Sequence, residues 1–160
     1  MIDLQHSGPG LDGYPLLVAQ LQALLAGERD FIANAAQFSA FLFQELSDLN
    51  WAGFYLARGE ELVLGPFQGK VACVRIPFGR GVCGAAAATG QTQRVDDVHA
   101  FAGHIACDSA SNSELVVPFF KHGNLLGVLD LDSPSLARFS AADQAGIERL
   151  VEVFVELTEC

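Results

Sequence analysis

The hydrophobic period of this chain switches near Asn50, and that switch limits the folds open to it. Before it, apolar residues recur every three to four positions. Pro15 suits a first helical turn, and Leu17, Leu21, Leu24 and Leu25 share one face of a helix over 16–26 that Gly27 interrupts. Asp30 is placed to cap a second helix over 31–46, striped by Phe31, Ala35, Phe38, Leu42 and Leu46. From Trp51 the period becomes two, as in half-buried strands. Segments 51–57 and 61–67, joined by Arg58-Gly59-Glu60, predict a hairpin. Residues 71–76 predict a third strand ended by Pro77, with Cys73 on the face of Val71 and Arg75. Gly79-Arg80-Gly81 leads into a short alanine-rich helix over 82–89 closed by Gly90, and 93–95 suits a short strand. The clearest hairpin joins 115–121 to 125–131 through His122-Gly123-Asn124, with Pro118 marking an edge or a bulge. Ser140 caps a last helix over 141–158, striped by Ile147, Leu150, Val151, Phe154 and Leu157.

The sum is an α+β domain. Helices from both ends of the sequence cover one face of an antiparallel sheet, and a long connection folds over the other. A length of 160 residues fits one domain, with residues 1–13 as a loose arm. Such a chain buries enough surface to need no disulfide staples. The net charge of -10, with Lys70 and Lys121 as the only lysines, argues against nucleic acid, where basic groups supply most of the affinity, and against anionic membranes. No basic stretch followed by an apolar core opens the chain, and no apolar run reaches the ~18 residues of a membrane span. The expectation is a cytoplasmic protein whose thiols are reduced at rest.

The long connection, 99–114, is too rich in small and polar residues for a core helix and lacks a strand period. Loops of this length are usually functional or disordered. Phe101, Ile105 and Cys107 prefer to be inside, which favours order. Cys107, flanked by Asp108 and Ser109, is the first candidate for chemistry. The ordinary reading of Cys73, Cys83, Cys107 and Cys160 is four inert small hydrophobes; no CxxC pair points to zinc or to a thioredoxin motif. By local physics alone Cys83, at a helix start that favours negative charge, is the first guess for a reactive thiol.

Around Cys107 the hairpin brings three carboxylates together, Glu114 at the start of one strand, Asp130 and Asp132 at the end of its partner. Whether Glu114 shares their face depends on the register. The plain alternative is solvated strand-end acids. If they share a cavity, they cannot all ionise cheaply, so one should hold a proton near neutral pH. Such a cluster can bind an ammonium group and also donate a proton. Trp51, the single tryptophan, is either core or a wall for a methyl group. His99 and His104 show no ligand spacing with the cysteines, so no metal and no bound cofactor are expected.

The runs Asn-Trp-Ala-Gly-Phe-Tyr from Asn50, Gly-Pro-Phe-Gln-Gly-Lys-Val-Ala-Cys from Gly65, Arg-Ile-Pro-Phe-Gly-Arg-Gly-Val-Cys-Gly from Arg75, Gly-His-Ile-Ala-Cys-Asp-Ser-Ala-Ser-Asn-Ser-Glu from Gly103 and Leu-Asp-Leu-Asp-Ser-Pro from Leu129 resemble the free methionine-R-sulfoxide reductases, small GAF-domain enzymes. The likeness spans about 50–154. It implies a GAF-like six-stranded antiparallel sheet with helices on one face and an active-site loop on the other. It also implies thiol-dependent reduction of free methionine-(R)-sulfoxide, in defence against oxidative stress. By the same resemblance Cys107 is the nucleophile that becomes a sulfenic acid, Cys73 or Cys83 captures it as a disulfide with Cys73 preferred, Glu114, Asp130 and Asp132 hold the sulfoxide and amino groups, and Trp51 receives the methyl. A protonated Asp132 or Glu114 would serve the leaving oxygen. The implied reductant is thioredoxin or a similar dithiol protein. A homodimer is compatible with the chain, though no stretch specifies one. The rival expectations are a non-catalytic GAF sensor of a small molecule and a thiol-based redox sensor; the short chain, with no output domain beside it, speaks for the enzyme. Cys160 matches no motif.

Overall fold

The computed structural model describes residues 13–104, 107 and 110–160. The expected arm, Gly13 apart, and Ile105, Asp108 and Ser109 of the long connection lie outside the described residues. Six strands, β1 (Trp51–Arg58), β2 (Glu61–Gly69), β3 (Arg75–Pro77), β4 (Gln93–Val95), β5 (Ser113–Lys121) and β6 (Asn124–Ser133), form one sheet in the order β3-β2-β1-β6-β5-β4. Every pairing is antiparallel. Four helices accompany it: α1 (Gly13–Leu25), α2 (Phe31–Glu45), α3 (Gly81–Thr89) and α4 (Ala141–Leu157). No described helix is long and apolar enough to cross a membrane.

The pleat sorts the sheet residues into two cores. Ala52, Phe54, Leu115, Val117, Leu129 and Leu131 meet α1, α2 and α4 on one face. There Phe38 of α2, Phe54 of β1 and Phe154 of α4 lie with ring centroids 5.1 to 6.0 Å apart, contacts worth ~0.5–1.5 kcal/mol each beyond burial. Asp30 caps α2 by accepting from the Ala33 N–H. Ser140 caps α4 in a reciprocal box with Asp143. The buried Asp143 carboxylate also accepts from the Tyr14 hydroxyl at 2.7 Å and from Arg138 at 3.3 Å, tying α1 to the start of α4. The opposite face carries α3, which joins the long connection there: Val82, Cys83, Ala86 and Ala87 close on Trp51, Tyr55, Val116 and Val128.

Two local expectations change. The third strand spans only Arg75–Pro77, so residues 71–74 lie outside the ladder and Pro77 is its last member rather than its stop. The cause is that side chains of β1 hold this segment instead. The Trp51 indole N–H donates to the Lys70 carbonyl at 3.1 Å, and the Tyr55 hydroxyl donates to the Cys73 carbonyl at 2.8 Å. The β5–β6 turn is also tighter than read. His122 and Gly123, at φ 51° and 79°, form a two-residue turn with both residues left-handed, and Asn124 already belongs to β6. A register shift between Phe119 and Phe120 sits next to Pro118, where β5 has run past the end of β4.

Candidate active site

Glu114 lies opposite Asp132 in the β5–β6 ladder, and Asp132 lies opposite Trp51 in the β1–β6 ladder. One row across three strands therefore presents an acid, an acid and an indole to the same side. Asp130, two residues along β6, joins them from the neighbouring row, where its β1 partner is Gly53. The face of Glu114, open in the sequence, is thus the face of the other two acids. Glu114 and Asp130 are buried, and Asp132 is half-buried. Burial, and then the charges of Asp130 and Asp132, push the Glu114 carboxyl well above its ordinary range. Burial also raises Asp130, against hydrogen bonds from Glu114, Asp132 and Cys83 that pull it down. Both side chains therefore bind a proton more tightly than a free carboxyl does.

Cys83 sits in the first turn of α3, its sulfur 3.8 Å from Oε1 of Glu114, to which the thiol donates. The helix-start argument for its reactivity fails. A helix N-terminus contributes ~0.3–1 kcal/mol to a negative charge, less than the roughly 1.4 kcal/mol of one pKa unit. Burial, followed by the charges of Asp130, Glu114 and Asp132, raises this thiol far more. Cys107 instead is bonded to Cys73, with their α-carbons 5.5 Å apart. The Tyr55–Cys73 hydrogen bond fixes the backbone from which Cys73 reaches across, and the Gly81 N–H donates to the Gly103 carbonyl at 2.9 Å, pinning the long connection to the start of α3.

Between these elements lies a cavity of about 50 Å³ whose lining includes Trp51, Tyr55, Cys83, Cys107 and the three acids. That is room for a few water molecules in this disulfide form, each needing roughly 10–15 Å³ on the same measure. Trp51 is a buried side chain that also lines the cavity. It stacks on Phe67 at 5.1 Å and on Tyr55 at 5.8 Å. Gly69 permits this pose, since a β-carbon there would fall 2.6 Å from Cδ1 of Trp51.

His104 lines the same cavity, and burial and then His99 lower its affinity for a proton. The His99 ring meets it edge-on at 5.7 Å and bonds Asn112 through Nε2. Among the described residues the donors that converge within metal-binding reach are Cys83, Glu114 and Asp130, and neither histidine is one of them. Cys160 is exposed at the chain end. Sequence reasoning passed over Tyr55, which anchors Cys73, and Ser111, whose hydroxyl accepts from the Asn50 amide at 3.0 Å beside the cavity. A signal for Tyr55 existed: it stands four residues after Trp51 in one strand, so it shares the tryptophan's face.

Residues 20–158 match the GAF domain family. The free methionine-R-sulfoxide reductase of Escherichia coli K12 is 56% identical over 138 residues, 86% of this chain and 84% of that protein. The reduced form of fRMsr from Staphylococcus aureus superposes with a TM-score of 0.89 at 47% identity, over 93% of this chain and 96% of that one. The free methionine-R-sulfoxide reductase of Neisseria meningitidis, solved in complex with its substrate, gives a TM-score of 0.88 at 43% identity, over 96% and 93%.

Proposed function

This chain belongs to the free methionine-R-sulfoxide reductases of the GAF-domain family, and from that premise we propose that it reduces free L-methionine-(R)-sulfoxide through Cys107. The observation that carries the reading is the meeting, around one cavity, of the Cys107 sulfur bonded to Cys73 and three acids, of which Glu114 is pushed well above its ordinary range by burial. The Cys107 thiolate attacks the sulfoxide sulfur while Glu114 or Asp132 gives a proton to the oxygen. Of the two, Glu114 has the support of a carboxyl raised by burial and neighbouring charge. The S–O bond and the new sulfur–sulfur bond then break as the hydroxyl passes to Cys107, so methionine leaves with its sulfur reduced and Cys107 is left as a sulfenic acid. The Cys73 thiol then displaces that oxygen as water and forms the disulfide. A dithiol protein of the thioredoxin type returns two electrons by exchange, which restores both thiols for the next cycle in the reducing cytoplasm.

Trp51 supports the specificity, offering an aromatic wall to the S-methyl group. The ammonium of a free amino acid suits Asp130 and Asp132, whereas a residue inside a polypeptide has no such group to offer. The disulfide form is read as the product of turnover, and reduction must restore both thiols before the next substrate reacts.

The test uses the separated R and S epimers of the free amino acid. With thioredoxin, the R epimer should turn over and the S epimer should not. Without reductant, the reduced protein should release one methionine per chain and lose two thiols, and Cys107→Ser should release none. Full single-turnover yield from Cys107→Ser would end the assignment. Binding without methionine release would favour a non-catalytic sensor, and disulfide formation by peroxide alone would favour a redox sensor.

A further inference from the structure

We propose that Cys83, Glu114 and Asp130 form a binding site for a thiophilic divalent cation of the zinc type at the floor of the cavity. One donor atom from each lies within 4.8 Å of the other two, and the Cys83 sulfur is 3.8 Å from Glu114 Oε1. Bond lengths of ~2.0–2.3 Å to zinc put tetrahedral donors about 3.5 Å apart, so the widest gap closes by roughly 1 Å, within reach of side-chain rotation. A second observation points the same way. Asp130 is 5% exposed, it lines the cavity, and its Oδ1 has no hydrogen-bond partner. A buried carboxylate oxygen without a donor is costly, and a cation in the cavity satisfies it.

The donor chemistry selects the ion. One sulfur and two carboxylate oxygens suit zinc with an open fourth position. Magnesium and calcium take all-oxygen shells of six or more ligands and gain nothing from a thiol. On binding, the metal–ligand bonds form as the protons on Cys83 and Glu114 leave to solvent, and the coordinated groups are a thiolate and two carboxylates. The frame is stiff, because Cys83 is held in α3 and the two acids belong to the paired strands β5 and β6. A filled site takes two of the acids proposed to receive the substrate, so zinc should compete with free methionine sulfoxide. That last clause alone rests on the proposed function.

The experiment uses the full-length oxidised chain, in which Cys73 and Cys107 are bonded and Cys83 and Cys160 are the free thiols. Cobalt(II), titrated without oxygen, is the probe, since its thiolate complexes absorb in the near ultraviolet. Wild type and Cys160→Ser should each develop that band at one equivalent, zinc should abolish it, and excess magnesium should leave it unchanged. Cys83→Ser should lose the band. Asp130→Asn, which keeps every thiol, should weaken cobalt binding by at least the roughly 10–100-fold that losing an outer-shell partner costs, and it decides the matter should Cys83→Ser not fold. Absence of the band in wild type, its survival in Cys83→Ser, its loss in Cys160→Ser, or unchanged affinity in Asp130→Asn overturns the site. None of these readouts depends on turnover, so failure here and failure of the proposed activity are told apart.

Discussion

Breaking the Cys73–Cys107 bond should cost the fold several kcal/mol, and the size follows from the loop it closes. The two cysteines are 34 residues apart. In the chain-entropy account, a cross-link over that length removes ~12.6 cal/mol/K from the unfolded chain, about 3.8 kcal/mol at 25 °C. In a domain of this size 1 kcal/mol moves Tm by ~2–4 °C, so the oxidised protein should melt roughly 8–15 °C above the reduced one. The closed loop contains β3, α3 and β4, most of the cavity's loop-side wall. The assay is thermal unfolding of wild type, Cys73→Ser and Cys107→Ser, each with and without a dithiol, alongside thiol counts in denaturant. Oxidised wild type should show two free thiols, Cys83 and Cys160, and reduced wild type all four. Both variants should melt with reduced wild type and ignore the dithiol. A wild type that keeps its Tm after four thiols are counted refutes the tether. A Cys73→Ser protein that melts far below reduced wild type refutes it differently, by assigning the effect to packing.

Glu114→Gln should stabilise the protein at neutral pH and do nothing in acid. The folded Glu114 carboxyl is raised above its ordinary 4.5 by burial and by Asp130 and Asp132; below that value both states are protonated, and as pH climbs the unfolded chain ionises first, so wild-type stability falls until the folded group ionises too. Glutamine escapes that fall, so denaturant midpoints of the two proteins should coincide in acid and separate toward neutrality, and parallel curves would refute the raised carboxyl. Gly146→Ala should lower Tm by roughly 2–8 °C, because its β-carbon would sit 2.2 Å from the Tyr14 ring, which the hydrogen bond to Asp143 keeps from swinging aside; an unchanged or higher Tm, the result helix propensity alone predicts, would show that α1 yields.

Elements whose side chains alternate or recur on one face were legible in the sequence. The cap at Asp30, the left-handed Gly90 that closes α3 and the Ser140 box all fall where the residue types place them. The segment 71–74 was not legible, because its apolar residues read as a strand while its Cys73 carbonyl is claimed by Tyr55 and the Lys70 carbonyl just before it by Trp51. Val71 and Val74 end up exposed, paying no regard to their β propensity. Local pattern describes what a segment prefers, and here a tertiary hydrogen bond at Cys73 outweighs it.

The site was legible as a set of residues and only partly as a set of charges. Carboxylates near Cys107 pose an objection to its thiolate, because neighbouring negative charge raises a thiol's pKa. The structure weakens it on grounds no residue string contains. Burial raises both Glu114 and Asp130 above their ordinary range, and the more firmly an acid keeps its proton, the less it repels a neighbouring anion. The same burial raises the Cys83 thiol, whereas Cys107 is only half-buried. Helix position, the cue that favoured Cys83, acts through a few tenths of a kcal/mol to one. Burial separates the two sulfurs, and it is set by how β5, β6 and α3 enclose the cavity rather than by any neighbour in sequence.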